Sequence, residues 1–296
     1  MNQHLQNENA QPDDSDFVAF WNEVLAPKFI AYKHIIVDGL TQHSEAVFPN
    51  LPVGEGDRVL DVGCGFGDTA IKLANIVGPT GEVVGVDCCD VFLDYARKDA
   101  EAAGLKNVSF MRGDAEISLP DEKFDFVFAR FGTMFFANPV AGLRNMRKSL
   151  KPGGKMVHIV WRDREDNPWL SMAKNIVLQI LPAPGDDAMT CGPGPFSMAG
   201  EEMVTTMMKS AGCVDIDFRR VDAPVFVGKN VEDAIAFQLA IGPAGEVFRE
   251  AGAEAEEKRA EVEAALGEAI NKQKSDADGI VMDSSSWVIT GTNPAN

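Results

Sequence analysis

Residues 59–70, VLDVGCGFGDTA, place an acid, Asp61, at the end of an apolar run and follow it with Gly63, Gly65 and Gly67 before a helical pattern begins. A glycine turn at the carboxyl end of a strand lets the backbone approach a ligand closely, because no Cβ intervenes. The spacing is not that of a dinucleotide fingerprint, since Asp68 follows Gly67 and a carboxylate facing a pyrophosphate is unfavourable. A phosphate-binding P-loop is excluded for want of its Gly-Lys-Ser/Thr ending. A second acid, Asp87, ends the run EVVGVD, where it can accept hydrogen bonds from both ribose hydroxyls of an adenosine. Gly113-Asp114-Ala115 follows NVSFM, and there the Asp114 side chain can accept from an adenine amino group while a neighbouring backbone N–H reads a ring nitrogen. Each element has a plainer alternative: a structural turn for the glycines, a helix N-cap for Asp87, a turn cap for Asp114. All three in order make an adenosine-type ligand the sharper reading.

These residues need a scaffold with strand ends side by side. Short β-rich runs at 58–63, 82–87, 107–111, 124–129 and 155–160 alternate with helical stretches at 68–77, 90–103 and 138–150. Strands alternating with helices imply right-handed crossovers and a parallel sheet covered on both faces, so the fold class is α/β, doubly wound. Before this core, residues 1–15 read as a mobile polar tail and 16–50 as N-terminal cap helices, interrupted at Pro27. The core domain, 51–296, carries two insertions, at 162–199 and 222–283. A helix at 200–211 and a strand at 214–221 lie between them, and the Ala- and Glu-rich stretch in the second predicts one long surface helix. SSSWVITGT at 284–292 reads as the final strand.

Composition narrows the partners. The 296 residues are 45% hydrophobic with a net charge of −18, so a large core is available and phosphate backbones are repelled. No nucleic acid is expected. No signal peptide and no apolar run of spanning length is present, so no stable membrane insertion and a cytoplasmic location are expected. Five cysteines without CxxC pairs fit a reducing compartment and no metal site.

The chain resembles the class I S-adenosylmethionine-dependent methyltransferases, in particular the small-molecule enzymes related to ubiquinone/menaquinone biosynthesis. The resemblance covers residues 55–161 and rests on Asp61-x-Gly63-x-Gly65, Asp87, Gly113-Asp114-Ala115, FDFVFARFGTMFF at 124–136 and LKPGGKMVHIVW at 150–161. It implies a seven-stranded, mostly parallel Rossmann-like sheet whose last strand is antiparallel. It also implies S-adenosyl-L-methionine as cofactor, with S-adenosyl-L-homocysteine as product. By this likeness Asp61 heads the cofactor loop, and Gly63, Cys64 and Gly65 lie against the methionyl part. Asp87 binds the ribose, Asp114 and Ala115 hold the adenine with Cys88 beside it, and Arg130 and Phe131 border cofactor and acceptor. The N-terminal helices and the segment after Trp161 depart from the quinone enzymes, so quinone methylation is not carried over.

The expected activity is methylation of a small, partly apolar acceptor, its O, C, S or N atom unresolved. Tyr32, His34, Phe131, Phe135 and Trp161 are the acceptor-site candidates. No nucleophile–base pair stands out, and His158, in a predicted buried strand, reads as a core residue rather than a general base. No catalytic residue or oligomeric state is assigned. The alternatives are a protein or nucleic-acid methyltransferase, against which the charge and covering segments argue, and a cofactor-binding sensor without transfer.

Overall fold

A computed structural model describes residues 15–185, 192–276 and 279–295. The expected mobile tail, up to residue 14, and Cys191 lie outside the described residues.

The chain opens with helix α1 (Asp16–Phe20), a π-helical turn at Trp21–Leu25, α2 (Ala26–Ala31) and α3 (Lys33–Val47). Then the alternation expected from the sequence runs β1 (Arg58–Val62), α4 (Asp68–Val77), β2 (Glu82–Asp87), α5 (Asp90–Ala102), β3 (Val108–Arg112), β4 (Phe124–Arg130), α6 (Pro139–Ser149) and β5 (Leu150–Trp161). After it come α7 (Pro168–Ile180), α8 (Glu201–Ala211), β6 (Val214–Gly228), α9 (Val231–Ala240), α10 (Gly242–Ala251), α11 (Ala253–Glu257), α12 (Arg259–Ile270), β7 (Lys274–Asp276) and β8 (Gly279–Thr292).

The sheet order is β3-β2-β1-β4-β5-β8-β6, with short β7 paired to β8. Strands β1 to β5 pair in parallel, and β8 runs antiparallel between β5 and β6. This is the seven-stranded, mostly parallel arrangement, with β7 as an added hairpin arm. The central strands are apolar on both faces because helices cover both: Leu60, Phe126 and Phe128 are fully buried. Helix α4 shows the matching pattern, burying Ala70, Leu73, Ala74 and Val77 at i, i+3, i+4 and i+7.

Three expectations need correction. Pro27 does not interrupt the N-terminal helix; it sits in the first turn of α2, where its missing N–H costs little. The π-type bond from the Ala26 N–H to the Trp21 carbonyl precedes it, and the true break is at Tyr32 (φ −109°, ψ 22°). The second insertion is shorter than expected, since β6 continues to Gly228 and β8 begins at Gly279, pairing as far as Gly228↔Ile280. Pro224 disguised that continuation, and is tolerated because β6 is an edge strand. The long surface helix is three helices, because Gly252 adopts φ +55° and Lys258 leaves helical geometry. Its apolar residues Val247, Val262, Leu266 and Ile270 are buried rather than superficial.

The N-terminal helices are fastened to the sheet. Gly39 lets α3 lie against β6, since a Cβ there would fall 2.7 Å from the Phe226 carbonyl oxygen. His43, fully buried on α3, reaches Ser284 (2.7 Å) and Ser286 (2.8 Å) of β8. Because Ser284 donates its hydroxyl to the Ala223 carbonyl, it accepts from His43 Nε2–H, which leaves Nδ1 to accept from Ser286. Among the described residues, no helix is long and apolar enough to cross a membrane.

Candidate active site

Strand order reverses between β1 and β4, and a crevice forms where their following loops separate. The loops nearly touch at its floor: a Cβ on Gly63 would lie 3.4 Å from the Gly132 Cα. Gly63, Gly65 and Gly67 all take positive φ, at +68°, +52° and +80°. Gly67 is packed against α5, where a Cβ would meet the Ala96 Cβ at 2.5 Å, whereas a Cβ on Gly65 would meet nothing within 4 Å. One glycine is required by packing, and the other opens a cradle.

The loop is tied to the acid of the next strand. Asp87 accepts from the Gly65 N–H and from the Cys89 N–H, both at 2.9 Å. Burial pushes its carboxyl up, and the backbone donors of Cys89, Gly65 and Cys88 oppose that shift. Asp114 Oδ1 caps its own turn, accepting from the Glu116 N–H at 2.8 Å. That was the plainer alternative for this residue, and it leaves the second oxygen outside the cap.

A cavity of about 270 Å³ opens above these strand ends. Gly63, Cys64, Gly65, Asp87, Cys88, Asp114 and Ala115 line it, as do Arg130, Phe131, Phe135 and Trp161. Phe131 takes φ +55° and stacks on Trp161 at 3.9 Å between centroids, with His43 edge-on to both rings. The strain of a non-glycine left-handed residue is held by that stack, which sets a flat aromatic wall beside the glycine loop. Arg130 pairs through both terminal nitrogens with Asp68 and donates to the Ser44 hydroxyl. The carboxylate that excluded a pyrophosphate is thus neutralised by Arg130.

Three candidates lie off the cavity wall. Asp61 is fully buried beneath the loop, where Oδ2 accepts from the Thr69 hydroxyl at 2.6 Å and Oδ1 has no partner among the described residues. Burial pushes its carboxyl up to about 7. Tyr32 packs on Phe237, and His34 turns toward Asp233 at 3.8 Å. Both sit at the break between α2 and α3, and the change in helix direction there carries them off the cavity.

The sequence suggested covering helices but not which of their side chains meet. Trp21 meets Phe29 and Phe135 edge-on, and Asn22 donates to the Cys88 carbonyl at 3.1 Å, joining the π turn to the chain just after β2. Lys28 and Arg249, from α2 and α10, also line the cavity. Their juxtaposition spans most of the chain, and no local pattern marks it.

Among the described residues, no histidine lines the cavity. His158 is buried with Nδ1 3.0 Å from the Thr133 hydroxyl, and burial lowers it to about 4; His43 is likewise pushed down to about 4. A buried histidine kept neutral stabilises the fold above the unfolded value near 6.5, and that share is lost as pH falls through 4. His158→Leu should therefore gain on the unsubstituted protein by about 3 kcal/mol between pH 7 and pH 4, measured by denaturant unfolding at both. A difference independent of pH would contradict the buried neutral form.

Asp87, Cys88 and Cys89 bring their ligand atoms within 4.8 Å of one another. The Cys88 thiol and burial push the Cys89 thiol up, which disfavours the thiolate a metal requires, and both Asp87 oxygens already accept backbone N–H groups.

Comparison with known proteins agrees with this geometry. A family model described as a methyltransferase domain matches residues 54–186. The demethylmenaquinone methyltransferase of Staphylococcus aureus is 30% identical over 185 residues, which cover 58% of this chain and 74% of that one. Among solved structures, a Haemonchus contortus phosphoethanolamine N-methyltransferase, in complex with phosphomonomethylethanolamine and S-adenosylhomocysteine, matches with a TM-score of 0.59 at 17% identity. It covers 95% of this chain and 61% of that one. The YcgJ protein of Bacillus subtilis matches with a TM-score of 0.53 at 18% identity, over 86% of this chain and 99% of that one. These two likenesses concern the fold. By the glycine loop, Asp87, the strand order and these relatives, the chain belongs to the class I S-adenosylmethionine-dependent methyltransferases.

Proposed function

We propose that this methyltransferase acts on a small, partly apolar acceptor, held between the aromatic wall of Phe131 and Trp161 and a roof made by the N-terminal helices, α7 and α10. The observation that carries the reading is the lining opposite the glycine loop, where Trp21, Phe29, Ile36, Leu170, Phe237 and Ile241 leave a pocket for an apolar body. A protein or nucleic-acid substrate would need an open face where those helices lie.

S-adenosylmethionine supplies an electrophilic methyl group on a sulfonium. The cradle at Gly65 fits it, since open space lies where a side chain would begin, and Asp87 offers two carboxylate oxygens to ribose hydroxyls. In this reading Gly63, Cys64 and Gly65 face the methionyl part, Cys88, Asp114 and Ala115 the adenine, and Arg130 stays on Asp68. Asp61 acts from beneath, holding the helix start through Thr69. Burial holds the Cys64 thiol well above its ordinary range, so it packs rather than attacks.

The protein's remaining task is alignment and exclusion of water. Because no histidine lines the cavity among the described residues, the reading favours an acceptor atom that is nucleophilic by itself: a thiolate, an enolate or an activated ring carbon. The relative from Staphylococcus aureus is named for a quinone substrate, an acceptor with an apolar body and such a carbon. The test is release of S-adenosylhomocysteine with a panel of hydroxyquinones, enols and aryl thiols against unfolded protein and RNA. Turnover within the small-molecule panel alone is expected; turnover only with macromolecules would overturn the reading.

A further inference from the structure

The charged side chains lining the cavity divide by what they touch. Asp68 and Arg130 pair with each other, while Asp87, Asp114 and Glu116 accept backbone N–H groups. Arg249 pairs with Glu250 at 2.9 Å and lies over the Phe20 ring at 5.1 Å, and Glu246 is also engaged. Lys28 is the exception: among the described residues its ammonium has no hydrogen bond and no ion pair. It is half-buried, and burial together with Arg249 pushes it below the ordinary lysine value while Glu246 pulls it up. A half-buried ammonium without a direct ion pair is costly, the Glu246 charge offsets only part of that cost, and a ligand anion in contact with the ammonium recovers more of it.

The facing helix has the complementary shape. Gly242, Gly245, Glu246 and Arg249 fall at i, i+3, i+4 and i+7, so one face of the ten-residue α10 lines the cavity. Its first turn also enters the cavity wall, without a side-chain cap, and the partial positive charge there favours an anion.

We propose that the acceptor is an organic acid with an apolar body, its carboxylate taken by the Lys28 ammonium at the α2–α10 end of the cavity while its nucleophilic atom faces the Gly63–Phe131 end. The proposal rests on the small-acceptor reading and narrows it to anions. Lys28 acts as a specificity residue, admitting the acid in preference to its neutral counterpart.

The test uses the full chain, saturated with S-adenosylhomocysteine, and two matched probes, 2-naphthoate and 2-naphthalenemethanol, titrated by calorimetry. Naphthoate should bind at least tenfold more tightly than the alcohol. Lys28→Met should remove that preference and leave the alcohol's affinity unchanged, and Lys28→Arg should keep most of it. Equal affinities in the unsubstituted protein, an undiminished preference in Lys28→Met, or no binding of either probe would overturn the proposal. Binding of S-adenosylhomocysteine is titrated separately in every variant, so failure of the cofactor site is distinguished from failure of the anion site.

Discussion

Asp87→Ala should weaken binding of S-adenosylhomocysteine by at least about 100-fold while the protein stays folded. Two charge-assisted hydrogen bonds to ribose hydroxyls, at about 1.5–3 kcal/mol each, account for a loss of that size. The same carboxylate also holds the Gly65 and Cys89 N–H groups, so the variant loosens the loop that faces the ligand. Folding is spared because burial already disfavours the Asp87 charge, and removing it relieves a desolvation cost. Asp87→Asn should be intermediate, since an amide keeps one acceptor. Isothermal titration with circular dichroism on the same samples separates the two effects, and unchanged affinity in Asp87→Ala would remove this residue from the site.

Gly67→Ala and Gly65→Ala should fail in opposite ways. At Gly67 the new methyl lies 2.5 Å from the Ala96 Cβ and the backbone sits at φ +80°, so left-handed strain and overpacking add to about 2–5 kcal/mol of lost stability. At Gly65 the methyl meets nothing, and only the backbone strain, about 1–2 kcal/mol, is lost. Its affinity for S-adenosylhomocysteine should nevertheless fall more than tenfold, because the methyl fills the space the ligand needs. Thermal melts with and without ligand check both. A Gly65→Ala protein with full affinity would show that the cradle does not face the cofactor.

The strands that carry this site were legible because each is a short β-rich run ending in a residue with a chemical role, as in RVLDV before Gly63 and EVVGVD ending in Asp87. The covering helices were expected too, but the side-chain contacts they make over the site were not legible. Lys28 and Arg249 come together only where α2 and α10 both reach the cavity wall, and His43 finds Ser284 and Ser286 of β8 only when α3 packs on the neighbouring β6. Tyr32 and His34 were acceptor candidates because the N-terminal helices were expected to cover the acceptor, yet the break at Tyr32 leaves both off the cavity wall. Helix periodicity also overran Gly252, where the left-handed turn separates α10 from α11. Tertiary packing decides the contacts of the covering helices, whereas at Gly252 the backbone freedom of a glycine with open space around it ends the helix.

The most direct test of the account is to incubate the protein with methyl-labelled S-adenosylmethionine and a cell extract, then divide the products into lipid-soluble, water-soluble small-molecule and macromolecular fractions. The account predicts label in a small-molecule fraction, absent when Asp87 is replaced by Ala. Label confined to macromolecules would contradict it.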